Sequence, residues 1–175
     1  MDAYICFTCG TQFAPSAAPP QRCPICLDER QYVGRNGQRW TTLAELGAGY
    51  RSEIRELEPG LVGIGTEPEF AIGQRAIHVE GGVLWDCVAL LDEAAAEAVE
   101  RAGGIHTIAI SHPHYYSAMV EWADRFDARI LLHEADREWV MRPRERIEHW
   151  SGERAQASDE VELIRLGGHL SLIHI

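Results

Sequence analysis

Two pairs of cysteines near the start of the chain limit how its first residues can fold. Cys6/Cys9 and Cys23/Cys26 form two CxxC pairs, and the segment between them, GTQFAPSAAPPQR, is too rich in proline, alanine and glycine to build a core alone. Four thiolates at this spacing can close a tetrahedron around one metal ion, which would supply the folding free energy that so small a module lacks. Residues 1–30 are therefore predicted to form a four-cysteine zinc-ribbon module with a structural ion.

Two alternatives to zinc remain open from the spacing. A pair of disulfides would need an oxidising compartment, which nothing else in the sequence indicates. Iron in a rubredoxin-like, electron-transfer module would use similar ligands. The fifth cysteine, Cys87, follows the apolar run VLW and an aspartate and is predicted to be a small buried side chain.

The composition excludes several classes of function. All 16 basic residues are arginines, so a Schiff-base lysine or a P-loop lysine is impossible. A net charge of −11 argues against nucleic acid or an anionic membrane as the main partner. Neither a signal peptide nor an apolar run of membrane-spanning length is present, which predicts a cytoplasmic protein. The sequence does not set the oligomeric state.

The rest of the chain alternates between strand and helix patterns. Residues 31–59 are predicted to form a polar connector with a short helix that begins at Thr41 or Thr42. From Gly60 onward the sequence shows strand and helix patterns. Beyond it, the strands LVGIGTEP, QRAIHVEGGVLWDC (a hairpin), IHTIAI, ARILLHEA and VELIRLGGH are separated by three helices, EAAAEAVERA, residues 117–126 and residues 136–141. This order predicts an α/β (α+β) layered domain over residues 60–169.

Five polar side chains follow the predicted strands of this domain. They are Asp86, His112, His114, His133 and His169. Ligand groups collect beyond the carboxyl ends of strands in such sheets. In an extended segment, His112 and His114 would point the same way, so both imidazoles could reach one ion. Together with His169 they would leave a fourth position on zinc for water, which would be activated as hydroxide.

Three landmarks in this region resemble those of the metallo-β-lactamase-fold hydrolases. They are VLWDC, ISHPHYYSAMVEWADRF and LIRLGGH, which correspond to the strand ending in aspartate, the T/S-H-x-H-x-D-H loop and the Gly-Gly-His. The resemblance covers about residues 60–169 and implies part of an αββα sandwich. A cysteine ribbon ahead of such a domain also resembles a bacterial subgroup of metallo-hydrolases.

The resemblance assigns roles to individual positions. His112, His114 and His169 match the ligands of the family's first metal site. Tyr116 and Ser117 stand where the family has the aspartate and histidine of the second site, so that site is predicted to be empty or altered.

Three further roles at this site are predicted. Asp86 matches an aspartate that more often orients the loops than binds metal. His133 is a possible extra ligand or polar group. Tyr116 is a candidate donor to a developing oxyanion.

The resemblance implies a metal-dependent hydrolase that acts on a small molecule with an ester, thioester, lactone or amide carbonyl. The alternative is a scaffold or binding protein whose lactamase-like domain has kept its shape and lost its chemistry. Residues 170–175, LSLIHI, do not fit the family pattern and are expected to be a non-native tail on a truncated reading frame. Such a half-domain is expected to leave an apolar sheet face uncovered.

Overall fold

The computed structural model describes residues 1–27, 37–167 and 173–174. Its strands are β1 (Ile5–Cys6), β2 (Trp40–Thr41), β3 (Arg51–Glu58), β4 (Leu61–Glu67), β5 (Ala76–Val79), β6 (Val83–Trp85), β7 (Thr107–Ala109), β8 (Arg129–His133), β9 (Ile147–Trp150), β10 (Arg154–Gln156), β11 (Glu162–Arg165) and β12 (Ile173–His174). Its α-helices are α1 (Leu43–Gly49), α2 (Glu93–Arg101) and α3 (Met119–Phe126), and 3₁₀ turns cover Ile25–Leu27, Pro113–Tyr115 and Glu134–Trp139.

The described strands β3 to β9 form one mixed sheet in sequence order. β3, β4, β5 and β6 are antiparallel neighbours, whereas β6, β7, β8 and β9 run parallel. The carboxyl ends of parallel strands meet at one edge of a sheet. The carboxyl ends of β6, β7 and β8 therefore lie along one edge, where Asp86 follows β6, the loop with His112 follows β7 and His133 ends β8.

Two helices cover one face of this sheet. Leu84, Ile108 and Ile130 come from three neighbouring strands and are fully buried against α2 and α3. Trp122 of α3 is also fully buried, and its indole Nε1 donates to the carbonyl oxygen of Val88 at 3.1 Å. The buried indole is thus both packed and hydrogen-bonded, which fixes α3 against the sheet.

The other face of the sheet is covered by a second, smaller one. β10, β11 and β12 form this antiparallel sheet, and Leu163 of β11 packs on Val83, Ala109 and Leu131 of the large sheet. The relative exposure of these four residues is 5% or less. The expectation of an uncovered apolar face is therefore wrong at the centre of the sheet.

Local sequence signals fix the beginnings of two helices. Thr42 caps α1 in a reciprocal capping box with Glu45, as predicted. The Asp92 carboxylate caps α2 by accepting from the Ala95 N–H at 3.0 Å, and its second oxygen accepts from the Ser52 N–H of β3 at 2.8 Å. The predicted hairpin turns on Gly81 and Gly82, whose φ angles of 92° and 79° suit glycine.

Two elements differ from the sequence prediction. β3 lies within the segment predicted as a connector, and it is an edge strand of the large sheet with charged side chains on both faces. Charge on an edge strand discourages pairing with other chains. The predicted helix over residues 136–141 is instead the 3₁₀ turn Glu134–Trp139, which ends with an i→i+3 bond from the Val140 N–H to the Arg137 carbonyl.

Candidate metal centres

The four N-terminal cysteines converge on one point. Their sulfur atoms all lie within 4.8 Å of one another, and all four side chains are buried. Cys6 Sγ lies 3.6 Å from Cys26 Sγ, and Cys9 Sγ lies 3.7 Å from Cys23 Sγ. None of the described cysteines is in a disulfide, so the disulfide alternative is not what this structure shows.

The sulfur cluster fits a tetrahedral ion. Four thiolates at about 2.3 Å from zinc are about 3.8 Å from one another, which is close to the two separations observed. The same four-sulfur set also suits iron, so the geometry predicts a metal centre without naming the metal. Among the described residues, no other group of three or more cysteine, histidine or acidic side chains has this arrangement.

The pKa values of the four thiols diverge within the cluster. Hydrogen bonds from Cys23 and Cys26 hold the pKa of Cys6 well below its ordinary value. Hydrogen bonding to Cys23 and Cys6 raises the pKa of Cys26 well above it. In the metal-free cluster some thiols therefore lose their protons more readily than others. A metal ion that binds must displace the protons that remain on the other thiols.

The loop after β7 carries the predicted histidines, and Asp86 anchors it. Asp86 Oδ1 accepts from the backbone N–H and from the hydroxyl of Ser111, both at 2.7 Å. Burial raises the pKa of Asp86 to about 6, although these hydrogen bonds oppose the shift. Asp86 itself adopts a left-handed φ of 61°, which directs its side chain at the loop. The carboxylate thus holds the residue immediately before His112.

The two imidazoles lie together, although the segment is not extended. Pro113–Tyr115 forms a 3₁₀ turn that His112 caps by accepting the His114 N–H at its Nδ1, so the predicted extended geometry is wrong. The rings are stacked at 4.8 Å, and their Nδ1 atoms are 3.0 Å apart. Two nitrogens on one tetrahedral zinc are about 3.3 Å apart. The separation suits a shared ion, although an ion at His112 Nδ1 would have to replace the hydrogen bond that this nitrogen accepts from the His114 N–H.

The structure describes only one of the other two predicted histidine ligands. His169 lies outside the described residues. His133 is buried, and its Nε2 lies 3.2 Å from the Gly152 carbonyl while its Nδ1 accepts from the Ala135 N–H at 3.1 Å. A carbonyl only accepts, so Nε2 carries the proton and both ring nitrogens are engaged. This arrangement supports a polar packing role for His133 and leaves no nitrogen for a metal.

Tyr116 and Ser117 are buried at the base of the loop. The Tyr116 hydroxyl donates to the Asp136 carbonyl at 3.5 Å, and burial raises its pKa, so the group stays protonated. Because Tyr116 is only 2% exposed, its hydroxyl is not open to a substrate in this conformation. Ser117 has a left-handed φ of 41°, and its carbonyl accepts from the Gln12 N–H of the cysteine module at 3.1 Å.

The cysteine module packs directly on the histidine loop, a contact that sequence reasoning missed. Buried Gln74, between β4 and β5, donates from its amide Nε2 to the carbonyls of both Cys9 and His114. A Cβ on Gly10 would lie 3.0 Å from Gln74 Nε2 and 3.2 Å from Ser117 Oγ. The residue after the first CxxC pair therefore approaches Ser117, one of the two positions where the resemblance places the second-site ligands. No local pattern around Gln74 signals this long-range contact.

The fold is that of the metallo-β-lactamases. A crystal structure of the DIM-1 metallo-β-lactamase exposed to ceftazidime superposes with a TM-score of 0.54 over 70% of this chain and 64% of that chain. The identity is 13%, so the likeness shows a metallo-β-lactamase-like α+β fold and not an activity.

The sequence is also similar to that of a curated bacterial protein. This relative is "Uncharacterized protein YmaE" of Bacillus subtilis (strain 168), which is 48% identical over 174 residues. The alignment covers 97% of the present chain and 64% of the relative, so the chain spans less than two thirds of that protein's length. No family model matches the chain. In the described part of the chain, no helix has the length and apolar character needed to cross a membrane.

Proposed function

We propose that the protein is a metal-dependent hydrolase that cleaves an ester, thioester, lactone or amide bond in a small molecule. The observation that carries the proposal is the stacked pair His112 and His114, whose Nδ1 atoms are 3.0 Å apart at the carboxyl end of β7. They lie on a metallo-β-lactamase-like fold, at the edge where parallel strands converge.

Each residue of this site would have its own role. His112 and His114 would bind a zinc ion, with His169 as the third ligand that the sequence predicts. A zinc ion at such a site supplies Lewis-acid activation of water and of the substrate carbonyl. Asp86 keeps the loop in place through Ser111. Tyr116 could act as an oxyanion donor only after its side chain is uncovered, because its hydroxyl is buried beside Asp136.

Hydrolysis of a panel of activated esters, thioesters and lactones tests this proposal. In zinc-loaded protein, His112→Ala and His169→Ala are expected to lower turnover by on the order of 100-fold or more, the scale for loss of one catalytic contribution. His106→Ala is the matched control, because His106 is exposed and precedes β7 at the opposite end of the strand. Equal turnover in all four proteins would refute the assignment. Assays of the longer Bacillus relative in parallel show whether the chemistry needs more chain.

A second candidate is a scaffold in which the cysteine module and the lactamase-like domain serve only to bind a partner. The observation in its favour is that Tyr116 and Ser117 are both buried and that the Ser117 carbonyl accepts from Gln12 of the cysteine module. For this candidate, zinc would bind only at the cysteines, and no hydrolysis would depend on His112.

A further inference from the structure

The contacts between the cysteine module and the histidine loop are close and specific. Gln74 Nε2 lies 2.8 Å from the His114 carbonyl oxygen and also donates to the Cys9 carbonyl. One amide group therefore bridges a cysteine of the first CxxC turn and the second histidine of the loop. Gln74 is 6% exposed, so water competes little for these two carbonyls.

A second contact next to this bridge is independent of Gln74. The Gln12 N–H donates to the Ser117 carbonyl at 3.1 Å, and Gly10 faces Ser117 Oγ closely enough that an added Cβ would stand at 3.2 Å. Gly10 has a φ of 77°, and its N–H donates to the Cys6 carbonyl at 2.8 Å. The residues that follow the first CxxC pair thus also pack against Ser117 of the loop.

The side chain of Gln12 is held by charged groups of the domain. The Arg142 guanidinium forms hydrogen bonds with both Gln12 and Glu121 of α3, and Gln12 Nε2 donates to the same Glu121 carboxylate at 3.2 Å. Trp139 and Met141 pack against the cysteine cluster. The module is therefore packed into the domain, which contrasts with a freely tethered ribbon.

We propose that the four-cysteine centre positions the histidine loop and that Gln74 is the positioning residue that joins them. Closing the four sulfurs on a metal fixes the Cys9 carbonyl, which fixes the amide of Gln74 and through it the His114 backbone. Because coupling between two sites is reciprocal, order in the loop also stabilises the metal-bound cysteine turn. The histidine loop is that of the proposed function, and the inference rests on that function only for its catalytic consequence.

Hydrogen exchange of the loop tests the bridge without any activity measurement. The variant is Gln74→Met, which keeps the length of the side chain and removes both donated hydrogen bonds. The matched control is Gln38→Met, because the Gln38 Oε1 accepts from the Cys23 N–H at 2.6 Å on the other CxxC turn. Both variants lose side-chain hydrogen bonds to the cysteine module, but only the first loses one to the loop.

In zinc-loaded protein, Gln74→Met is expected to speed exchange of the amides of residues 111–118 by about tenfold, the scale for loss of two buried hydrogen bonds. Exchange in α2 is expected to stay unchanged, which shows that the variant is folded. Gln38→Met is expected to leave the loop as protected as in the wild type. Wild-type protection of the loop in Gln74→Met would overturn the proposal.

Cys23→Ser completes a cycle that separates coupling from simple loosening, because it removes a ligand of the cysteine centre and leaves His112 and His114 in place. The substitution is expected to speed loop exchange more in the wild type than in Gln74→Met, because the Gln74 bridge is already broken there and the bond from Gln12 to Ser117 still joins the module to the loop. An equal increase in both proteins would mean that the effect of the cysteine centre does not pass through Gln74 and would refute the inference. The cycle can succeed even if the proposed hydrolysis fails, because it measures loop order and not turnover.

Discussion

Asp86 accepts two hydrogen bonds from Ser111, one from its backbone N–H and one from its hydroxyl, with Oδ1 2.7 Å from each donor. This pair joins the carboxyl ends of β6 and β7 and sets the direction in which the chain leaves towards His112. The carboxylate is buried, and burial raises its pKa to about 6.

The raised pKa of Asp86 predicts a pH-dependent contribution to stability. A carboxyl whose pKa is higher in the folded state than its ordinary 3.8 favours folding in its protonated form. Its contribution is fully present below about pH 4 and is lost as the pH rises through about 6. From the two pKa values the loss is at most about 3 kcal/mol. Urea unfolding of the wild type and of Asp86→Asn between pH 4 and 8 measures it.

The Asn side chain does not titrate, so the stability of the wild type relative to Asp86→Asn is expected to fall as the pH rises across this range. A constant difference in the free energy of unfolding between the two proteins would contradict the shifted pKa.

Any side chain at position 10 is predicted to destabilise the folded protein. The φ of 77° at Gly10 disfavours any other residue, and a Cβ would stand 3.0 Å from Gln74 Nε2 and 3.2 Å from Ser117 Oγ. Gly10→Ala is therefore expected to lower the free energy of unfolding by about 1–3 kcal/mol. Gly47→Ala is the control, because Gly47 lies in α1 with nothing within 4 Å of its added Cβ.

The alanine at position 47 is expected to raise stability by about 0.5–1 kcal/mol, since glycine is a poor helix former. Thermal or denaturant unfolding of both variants measures the two effects. A Gly10→Ala protein at least as stable as the wild type would show that the close packing of Gly10 is not as described.

The cysteine cluster is predicted to lose its metal when one ligand is removed. Cys23→Ser replaces a sulfur that lies 3.7 Å from Cys9 Sγ, and serine is a poor ligand for zinc. The variant is expected to lose about one metal ion per chain and to unfold at lower temperature, because metal binding contributes folding free energy. Metal analysis after dialysis against a chelator measures the loss.

Cys87→Ala is the control for Cys23→Ser. Cys87 is buried after β6, outside the four-sulfur group, and burial raises its pKa well above the ordinary value for a thiol. Its loss is expected to leave a cavity and to keep the metal. Metal loss in Cys87→Ala as great as in Cys23→Ser would contradict the assignment of the ligands.

The sequence predicts features that depend on a few neighbouring residues. It does not predict contacts between residues that are far apart in the chain. The capping residue Thr42 and the hairpin that turns at Gly81-Gly82 are local patterns, and the structure confirms them. The convergence of the cysteines follows from their CxxC spacing. β3 was missed because an exposed edge strand gains its order from pairing with β4, and its own residues are polar on both faces.

The contact between the two candidate centres could not be predicted. It depends on Gln74, which is far in sequence from both Cys9 and His114 and carries no motif. The 3₁₀ turn after His112 is also not predicted. The sequence pattern treats residues 112–114 as extended, whereas Pro113 begins a turn.

The number of metal ions bound to the purified chain decides whether it holds one centre or two. Elemental analysis together with native mass spectrometry counts the ions bound to wild type, His112→Ala and Cys23→Ser. We expect about two zinc ions in the wild type and about one in each variant, since each substitution removes a ligand of a different centre. About one ion in the wild type, unchanged by His112→Ala and lost in Cys23→Ser, would contradict a metal site at the histidine loop.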